Sequence, residues 1–327
     1  MNVRLARSRR RLISTTAVAV TTALGLVTLS ACSGADTADG KSGGKLDIVA
    51  SFYPMQYLAE QIGGDHVLVR NLTEPGQEPH DLEVSARQRA QIEEADVALH
   101  LKGLQPAVDE AIDQSGTRTK IDAASLTHLE THGSEVGGHA QEHAHDDGHD
   151  HDSEGADPHI WLDPVKYAEV AGGVGKALEK ADPDHAADYK RNTAALVKKL
   201  DGLDAEFRDG LKDTGSKVFI TTHAAFGYLA ERYGLTEEAI SGLDPESEPS
   251  AARVKDLQKM AKADGVTTVF YETLVSDKTA RTLAGDAKLR TAVLDPIEGI
   301  TEKSKGDDYL QVMTANLAAL RQALGAK

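Results

Sequence analysis

The chain has 327 residues, carries 36 Lys and Arg against 52 Asp and Glu for a formal net charge of −16, and contains one cysteine. A single thiol excludes an internal disulfide, and a polyanion of this kind is a poor partner for nucleic acid or an anionic membrane surface. The length suffices for two compact lobes once a leader and a tether are set aside.

From the amino end, MNVRLARSRRRL carries five Arg and no acid, and ISTTAVAVTTALGLVTL follows as an apolar run of small residues, too short and too weakly hydrophobic for a membrane span. The run closes on Leu29-Ser30-Ala31-Cys32, which resembles the lipobox of bacterial lipoproteins. Residues 1–31 are therefore expected to be a lipoprotein signal, with Cys32 as the lipid anchor on the outer face of the cytoplasmic membrane. Losing five Arg takes the formal charge from −16 to −21. Residues 32–45, rich in Gly, Ser and Asp, read as a flexible tether.

Short β-type runs then alternate with helical stretches, which predicts an α/β protein with parallel sheets. In the first half, strands are predicted at 46–52, 66–72, 96–101 and 119–123, with a helix starting at Pro54 and stopping at Gly63-Gly64, a further helix after the Pro/Gly loop that contains His80, and another over LQPAVDEAIDQS. In the second half, strands are predicted at KVFITT (217–222), near Glu238–Ile240, in VTTVFYE and in RTAVLD, with helices at Ala224–Tyr233, Ser250–Ala263, Ser276–Asp286 and Asp307–Leu324. Two comparable lobes follow, 46–181 and 213–327. Between them, residues 182–212 read as one helix of about 40 Å, with Asp182 as N-cap, Pro183 at its first position and an apolar face of Leu196, Leu200, Leu203, Phe207 and Leu211. That helix is long enough to act as a spine for both lobes, although an ordinary surface helix of one lobe fits the same pattern.

Eight of the 13 histidines fall between Thr127 and Pro164, a stretch with no Lys or Arg. Imidazoles beside carboxylates suit Zn²⁺ and its first-row neighbours. The segment 128–156 is a low-complexity His/Asp/Glu-rich loop expected to lack order, and His128, His132, His139, His143, His145, His149 and His151 are auxiliary, weak metal ligands in that reading. A solvated acidic linker is the alternative. Beyond it, Asp157-Pro158-His159-Ile160-Trp161-Leu162-Asp163-Pro164 has two Asp-Pro pairs and an apolar anchor, so His159 should be rigidly held, with Asp157 or Asp163 orienting it.

Ligand candidates also belong at the carboxyl ends of parallel strands. His80 follows the second predicted strand, His223 follows KVFITT directly, and Glu298 follows RTAVLD. With His159, these three would close a tetrahedral Zn²⁺ site of three imidazoles and a carboxylate if the lobes meet. Glu78 or a water are alternatives for the fourth position. Glu272 is expected to support the site or its lobe rather than bind metal, Tyr53 lies where it could line the cleft, and His66, His100 and His185 are read as structural.

Glu78-Pro79-His80-Asp81, the 157–164 turn, His223-Ala224-Ala225-Phe226-Gly227-Tyr228 and Leu294-Asp295-Pro296-Ile297-Glu298-Gly299-Ile300 resemble, in order, the four metal-contact segments of the solute-binding proteins of zinc/manganese-type ABC importers. The resemblance implies two lobes, each with a four-stranded parallel sheet flanked by helices, joined by one long rigid helix. It further implies one tight metal between them, contacted by His80, His159, His223 and Glu298 and delivered to an ABC permease with its ATPase. Within that family three histidines accompany zinc, whereas two histidines and two carboxylates accompany manganese. The expectation is a monomeric extracytoplasmic zinc-binding lipoprotein, not an enzyme, since the H-E-x-x-H pair of a zinc hydrolase is absent. A zinc-buffering or adhesion lipoprotein without a transport partner, or a manganese-specific member, are the other readings.

Overall fold

The computed structural model describes residues 44–132 and 156–326. The expected leader, Cys32, nearly all of the tether and the histidines His139, His143, His145, His149 and His151 lie outside the described residues.

Two four-stranded parallel sheets organise the body. The first is built from β1 (Leu46–Ala50), β2 (Val67–Asn71), β3 (Val97–His100) and β4 (Thr119–Asp122), in the order β2-β1-β3-β4. The second uses β5 (Val218–Thr221), β6 (Thr236–Ala239), β7 (Thr268–Tyr271) and β8 (Arg290–Val293), in the order β6-β5-β7-β8. The same winding thus occurs twice, and each sheet places its loops at the carboxyl ends of its strands. The helices of the first half are α1 (Tyr53–Gly63), α2 (Ala86–Glu94) and α3 (Pro106–Gln114), followed by α4 (Pro164–Ala181) and α5 (Ala186–Leu211). In the second half, α6 (Gly227–Arg232), α7 (Ala251–Ala263), α8 (Lys278–Ala287) and α9 (Tyr309–Leu324) complete the described helices.

Residue chemistry explains the main boundaries. Pro54 sits in the first turn of α1, where a missing N–H costs nothing, and Gly64 ends that helix at φ 54°, a left-handed value that L side chains resist. Ser85 and Gln88 form a reciprocal capping box at α2, and Ser250 and Asp308 cap α7 and α9.

The sheets are buried on both faces. Val49, Leu72, Ile92, Ala98, Val108 and Ile112 form a core under α2 and α3, and Ile220, Ile240, Leu257, Val269 and Leu283 form its counterpart under α7 and α8. A third, larger core runs without interruption from Ile48, Phe52 and Leu99 through Trp161, Tyr167, Leu200 and Phe207 to Phe219, Phe270 and Tyr309. It joins the two sheets. The 26 residues of α5 span about 39 Å, bury the expected face and pack against α1, α4 and α9, so this helix touches both halves.

Several local expectations are corrected. Asp182 does not cap the long helix with its side chain: its Oδ2 accepts from the His185 ring at 2.7 Å and from the Tyr189 hydroxyl at 2.7 Å, and the chain passes through a 3₁₀ turn at Pro183–His185 before α5 begins. Strand β6 begins at Thr236, two residues before the expected stretch. Helix α6 starts at Gly227 rather than Ala224: Ala225 N–H closes a tight turn onto His223 O that a helix cannot contain, while Ala224 donates to Gly242 O and Phe226 to the Glu237 carboxylate.

The expectation that order is lost from residue 128 is also corrected. Residues 128–132 are tied to the body: Lys166 Nζ donates to His128 O, Tyr228 OH accepts from Glu130 N, and His132 lies between Asp157 and Glu231.

Candidate metal centre

His80, His159, His223 and Glu298 converge, each offering a ligand atom, with all four atoms within 4.8 Å of one another. Glu298 Oε1 is 3.3 Å from His80 Nε2 and 3.5 Å from Nε2 of both His159 and His223. Zinc arms of about 2.0–2.1 Å in a tetrahedron place neighbouring donors about 3.3 Å apart, so these edges fit a four-coordinate ion with little movement. The three imidazoles face one another with ring centroids 5.4–6.0 Å apart.

Each side chain reaches this point for a local reason. His80 lies in the loop after β2, where Leu82 N donates to Pro79 O and buried Leu82 anchors the turn. His159 is fixed by Asp157, whose Oδ1 accepts both its backbone N–H at 2.9 Å and its ring Nδ1–H at 2.7 Å. The next residues, Ile160, Trp161 and Leu162, form one fully buried 3₁₀ turn. Trp161 Nε1 donates to Pro296 O at 2.6 Å, tying this turn to the segment that carries Glu298.

His223 lies two residues beyond the end of β5, and its Nδ1 donates to Glu272 Oε1 at 2.9 Å. The same oxygen accepts from Thr222 at 2.6 Å. Glu298 follows Ile297, which holds φ 59°, an unfavourable backbone for a β-branched residue. Asp295 maintains that turn: its Oδ1 accepts from Ile297 N and its Oδ2 from Thr273 and Ser304, while its own N–H donates to Asn316.

Two imidazoles therefore present Nε2 inward because a buried carboxylate holds Nδ1–H, the arrangement in which a carboxylate sets the tautomer of a metal-binding histidine. Neither His159 Nε2 nor His223 Nε2 has a hydrogen-bond partner among the described residues, and Glu298 Oε2 is likewise unpartnered. Two buried ring nitrogens that face Glu298 without hydrogen-bond partners, beside an unpartnered carboxylate oxygen, are costly unless a cation completes them.

Electrostatics point the same way. Burial works against ionisation of Glu298, but the facing imidazoles of His159, His223 and His80 outweigh it and hold the carboxyl well below its usual range. Burial pushes His159 down, and the Asp157 charge and hydrogen bond more than offset this, leaving it at about 8. For His223, burial is outweighed by Glu272 and Glu298, and the ring is held well above its usual value.

Glu78 stands beside this set. Burial and the nearby Glu298 charge push its carboxyl up to about 7, and its Oε1 is buried without a hydrogen-bond partner. Its atoms do not fall in the four-donor group. Glu272 supports His223 and does not join the group. Its exchange for Gln keeps the shape and an acceptor oxygen but removes the charge that makes the His223 ring basic, so Glu272→Gln is expected to weaken zinc binding on the order of tenfold in a chelator competition.

The remaining histidines lie elsewhere. His100 pairs with Asp109, His66 with Asp188 and His185 with Asp182, and the His66 and His185 rings stack at 4.0 Å where the first lobe meets α5. His128 is exposed and joins no ligand group among the described residues. His132 belongs to a second group, with Glu130 and Glu231. Tyr53 is half-buried and packs on Tyr57, with ring centroids 6.2 Å apart.

Sequence reading missed the ties that hold the two halves at the site. Arg232 of α6 clamps both oxygens of Asp163, which also caps α4. No local pattern marks the Arg232 pair. Nor does one mark the Asp295–Asn316 pair.

Comparison with known proteins agrees with this geometry. The family model for the zinc-uptake complex component A, periplasmic (ZnuA), matches residues 48–323. The zinc-binding lipoprotein AdcA of Streptococcus pneumoniae is 36% identical over 300 residues, a match covering 90% of this chain and 58% of AdcA, so the chain spans less than two thirds of that relative. The high-affinity zinc uptake system protein ZnuA of Bacillus subtilis is 36% identical over 309 residues, covering 91% of this chain and 94% of the relative. The crystal structure of the Zn(II)-bound ZnuA-like domain of Streptococcus pneumoniae AdcA superimposes with a TM-score of 0.70 at 35% identity, covering 86% of this chain and 99% of that domain. With two like-wound parallel sheets, a helical spine and a match running across both halves, the chain belongs to the family of the periplasmic component A of zinc-uptake complexes.

Proposed function

We propose that the protein captures one Zn²⁺ between its two lobes, through His80, His159, His223 and Glu298, and delivers it to an ABC-type permease powered by its ATPase. The observation that carries this reading is the convergence of three imidazoles and one carboxylate on a single point, with the His159 and His223 Nε2 atoms unpartnered. Three nitrogens and one oxygen favour zinc over manganese, which prefers oxygen-rich sites. Glu298 takes the position that a hydrolytic zinc would leave to water, so the role is binding and release rather than catalysis.

In this reading the first 31 residues direct export, Cys32 carries the lipid that holds the protein on the outer face of the cytoplasmic membrane, and residues 32–45 let a monomeric body reach the permease. Histidines of the 128–156 segment act as weak collectors around the tight site.

The test is uptake of radiolabelled zinc by zinc-starved cells lacking this protein. The intact chain should restore uptake, and a His159→Ala chain exported to the same level should not. Equal uptake with and without the intact chain would sink the delivery role.

A further inference from the structure

We infer that one face of the short helix α6 brackets the turn that carries His159, so that Tyr228 and Arg232 act as positioning residues that set His159 against His223. The two residues lie four apart in Gly227–Arg232 and therefore share a helical face. Tyr228 OH donates to Asp157 O at 2.8 Å. The Arg232 guanidinium donates to both oxygens of Asp163, from Nε to Oδ1 at 3.0 Å and from Nη2 to Oδ2 at 2.6 Å. Asp157 precedes His159 by two residues and Asp163 follows it by four, so the turn is held at both ends by one helix of the opposite half.

Local structure does not call for this grip. Asp163 caps α4 with Oδ1, which accepts from Val165 N at 2.9 Å, a task that a neutral Asn or Ser performs as well. A carboxylate whose side chain is only 2% exposed is costly unless a cation meets it, and here the cation comes from 69 residues away. Tyr228 is buried, and its hydroxyl bonds nothing within α6: it donates to Asp157 O and accepts from Glu130 N.

The grip reaches His223 because only residues 224–226 separate it from α6, and all three are tied down. Ala224 N donates to Gly242 O, Ala225 N to His223 O, and Phe226 N to the Glu237 carboxylate at 3.0 Å. A shift of α6 must therefore carry the His223 turn with it. On its other side α6 rests on the spine: Tyr233 OH donates to Asp204 Oδ1 at 3.3 Å and its ring stacks on Phe207, with centroids 5.2 Å apart. The His159 and His223 rings, 5.4 Å apart, are thus set against each other by protein contacts alone, just as Trp161 sets the His159 turn against the Glu298 turn. Donors already held at their binding spacing have little order left to gain, so the metal they hold leaves slowly.

This inference rests on the reading that His159 and His223 bind zinc together, and the test separates the two. The chain from residue 33 is loaded with Zn²⁺ or Co²⁺; zinc release into excess chelator is timed, and the visible Co²⁺ spectrum reports donor geometry. Arg232→Lys keeps the charge opposite Asp163 but cannot grip both oxygens, and Tyr228→Phe removes one hydroxyl while keeping the ring. Each should speed zinc release about tenfold, leave the association rate within about twofold and weaken the four-coordinate Co²⁺ bands. The double variant should release zinc faster than either. A contact that serves folding alone would lower the thermal midpoint and leave release rate and spectrum as they were. Release at the parental rate with an unchanged Co²⁺ spectrum in both folded variants would overturn the inference. Should Arg232→Lys not fold, Tyr228→Phe decides by the same two readouts. A parental chain without four-coordinate Co²⁺ bands would instead overturn the buried site itself.

Discussion

His223→Ala should lower zinc affinity by about two to three orders of magnitude, whereas deletion of residues 133–155 should change it by less than about tenfold. The contrast follows from where order is already present. His223 is buried, lies just beyond a central strand and has its ring fixed by Glu272, so its Nε2 would bind a metal with little conformational entropy left to lose. On its Gly- and Asp-rich composition, the 133–155 segment is expected to pay about 1–2 kcal/mol for each backbone residue fixed on binding. Both chains would be titrated against a calibrated chelator, with unfolding of the zinc-free His223→Ala chain confirming that it still folds. Equal losses in the two would count against the buried site as the seat of tight binding.

Much of this arrangement was legible in the sequence because it depends on local rules. Strands read as short apolar runs, and the rule that parallel sheets build sites at strand carboxyl ends picked out His80, His223 and Glu298. The DPHIWLDP turn announced a rigid histidine because prolines limit the backbone and three large apolar residues must be buried.

What escaped was set by contacts across long sequence separations. Nothing near Asp163 announces Arg232, 69 residues away, and nothing near His132 announces that Asp157 and Glu231 will fix it. Composition placed His132 in an unstructured tract, yet a buried carboxylate on one side and Gly227 on the other give it a seat. The start of α6 was misplaced for the same kind of reason. The helical pattern runs back to Ala224, but a tight turn from Ala225 N–H to His223 O and distant acceptors for Ala224 and Phe226 hold that stretch out of the helix.

The two halves of the buried site are held in different ways. His159 and His223 are oriented by buried carboxylates that accept Nδ1–H, while Glu298 is carried by a backbone turn under strain at Ile297. That turn is secured by Asp295, whose side chain accepts three hydrogen bonds, and its neighbour Pro296 is secured by Trp161. The Trp161 bond couples the His159 turn to the Glu298 turn, so separating the lobes would disturb two donors at once. Release by lobe movement would therefore be cooperative.

Zinc affinity should fall by about tenfold for each proton displaced per unit of pH lowered, and below pH 8 at least one proton and up to two are displaced. The protons come from the imidazoles. In the zinc-free protein, the Asp157 charge outweighs burial and holds His159 at about 8, while Glu272 and Glu298 hold His223 well above its usual 6.5. A metal needs both rings neutral, so between pH 7 and 6 the loss should approach a hundredfold if both rings carry protons. The stability of the zinc-free fold has the opposite trend. A folded value near 8 against about 6.5 unfolded means that the contribution of His159 is fully present below 6.5 and is lost as pH rises through 8. The depressed Glu298 carboxyl contributes above its usual 4.5, and that contribution is lost only as pH falls through its lower folded value. Zinc-free protein should accordingly lose stability from pH 6.5 to 8 while zinc-bound protein gains it. Calorimetric titration in buffers of different ionisation enthalpy would count the protons released, and thermal unfolding with and without zinc across that window would show the crossing trends. Zinc binding at pH 7 with no proton release would mean that the imidazoles are already neutral, and that the carboxylates orient the rings without charging them.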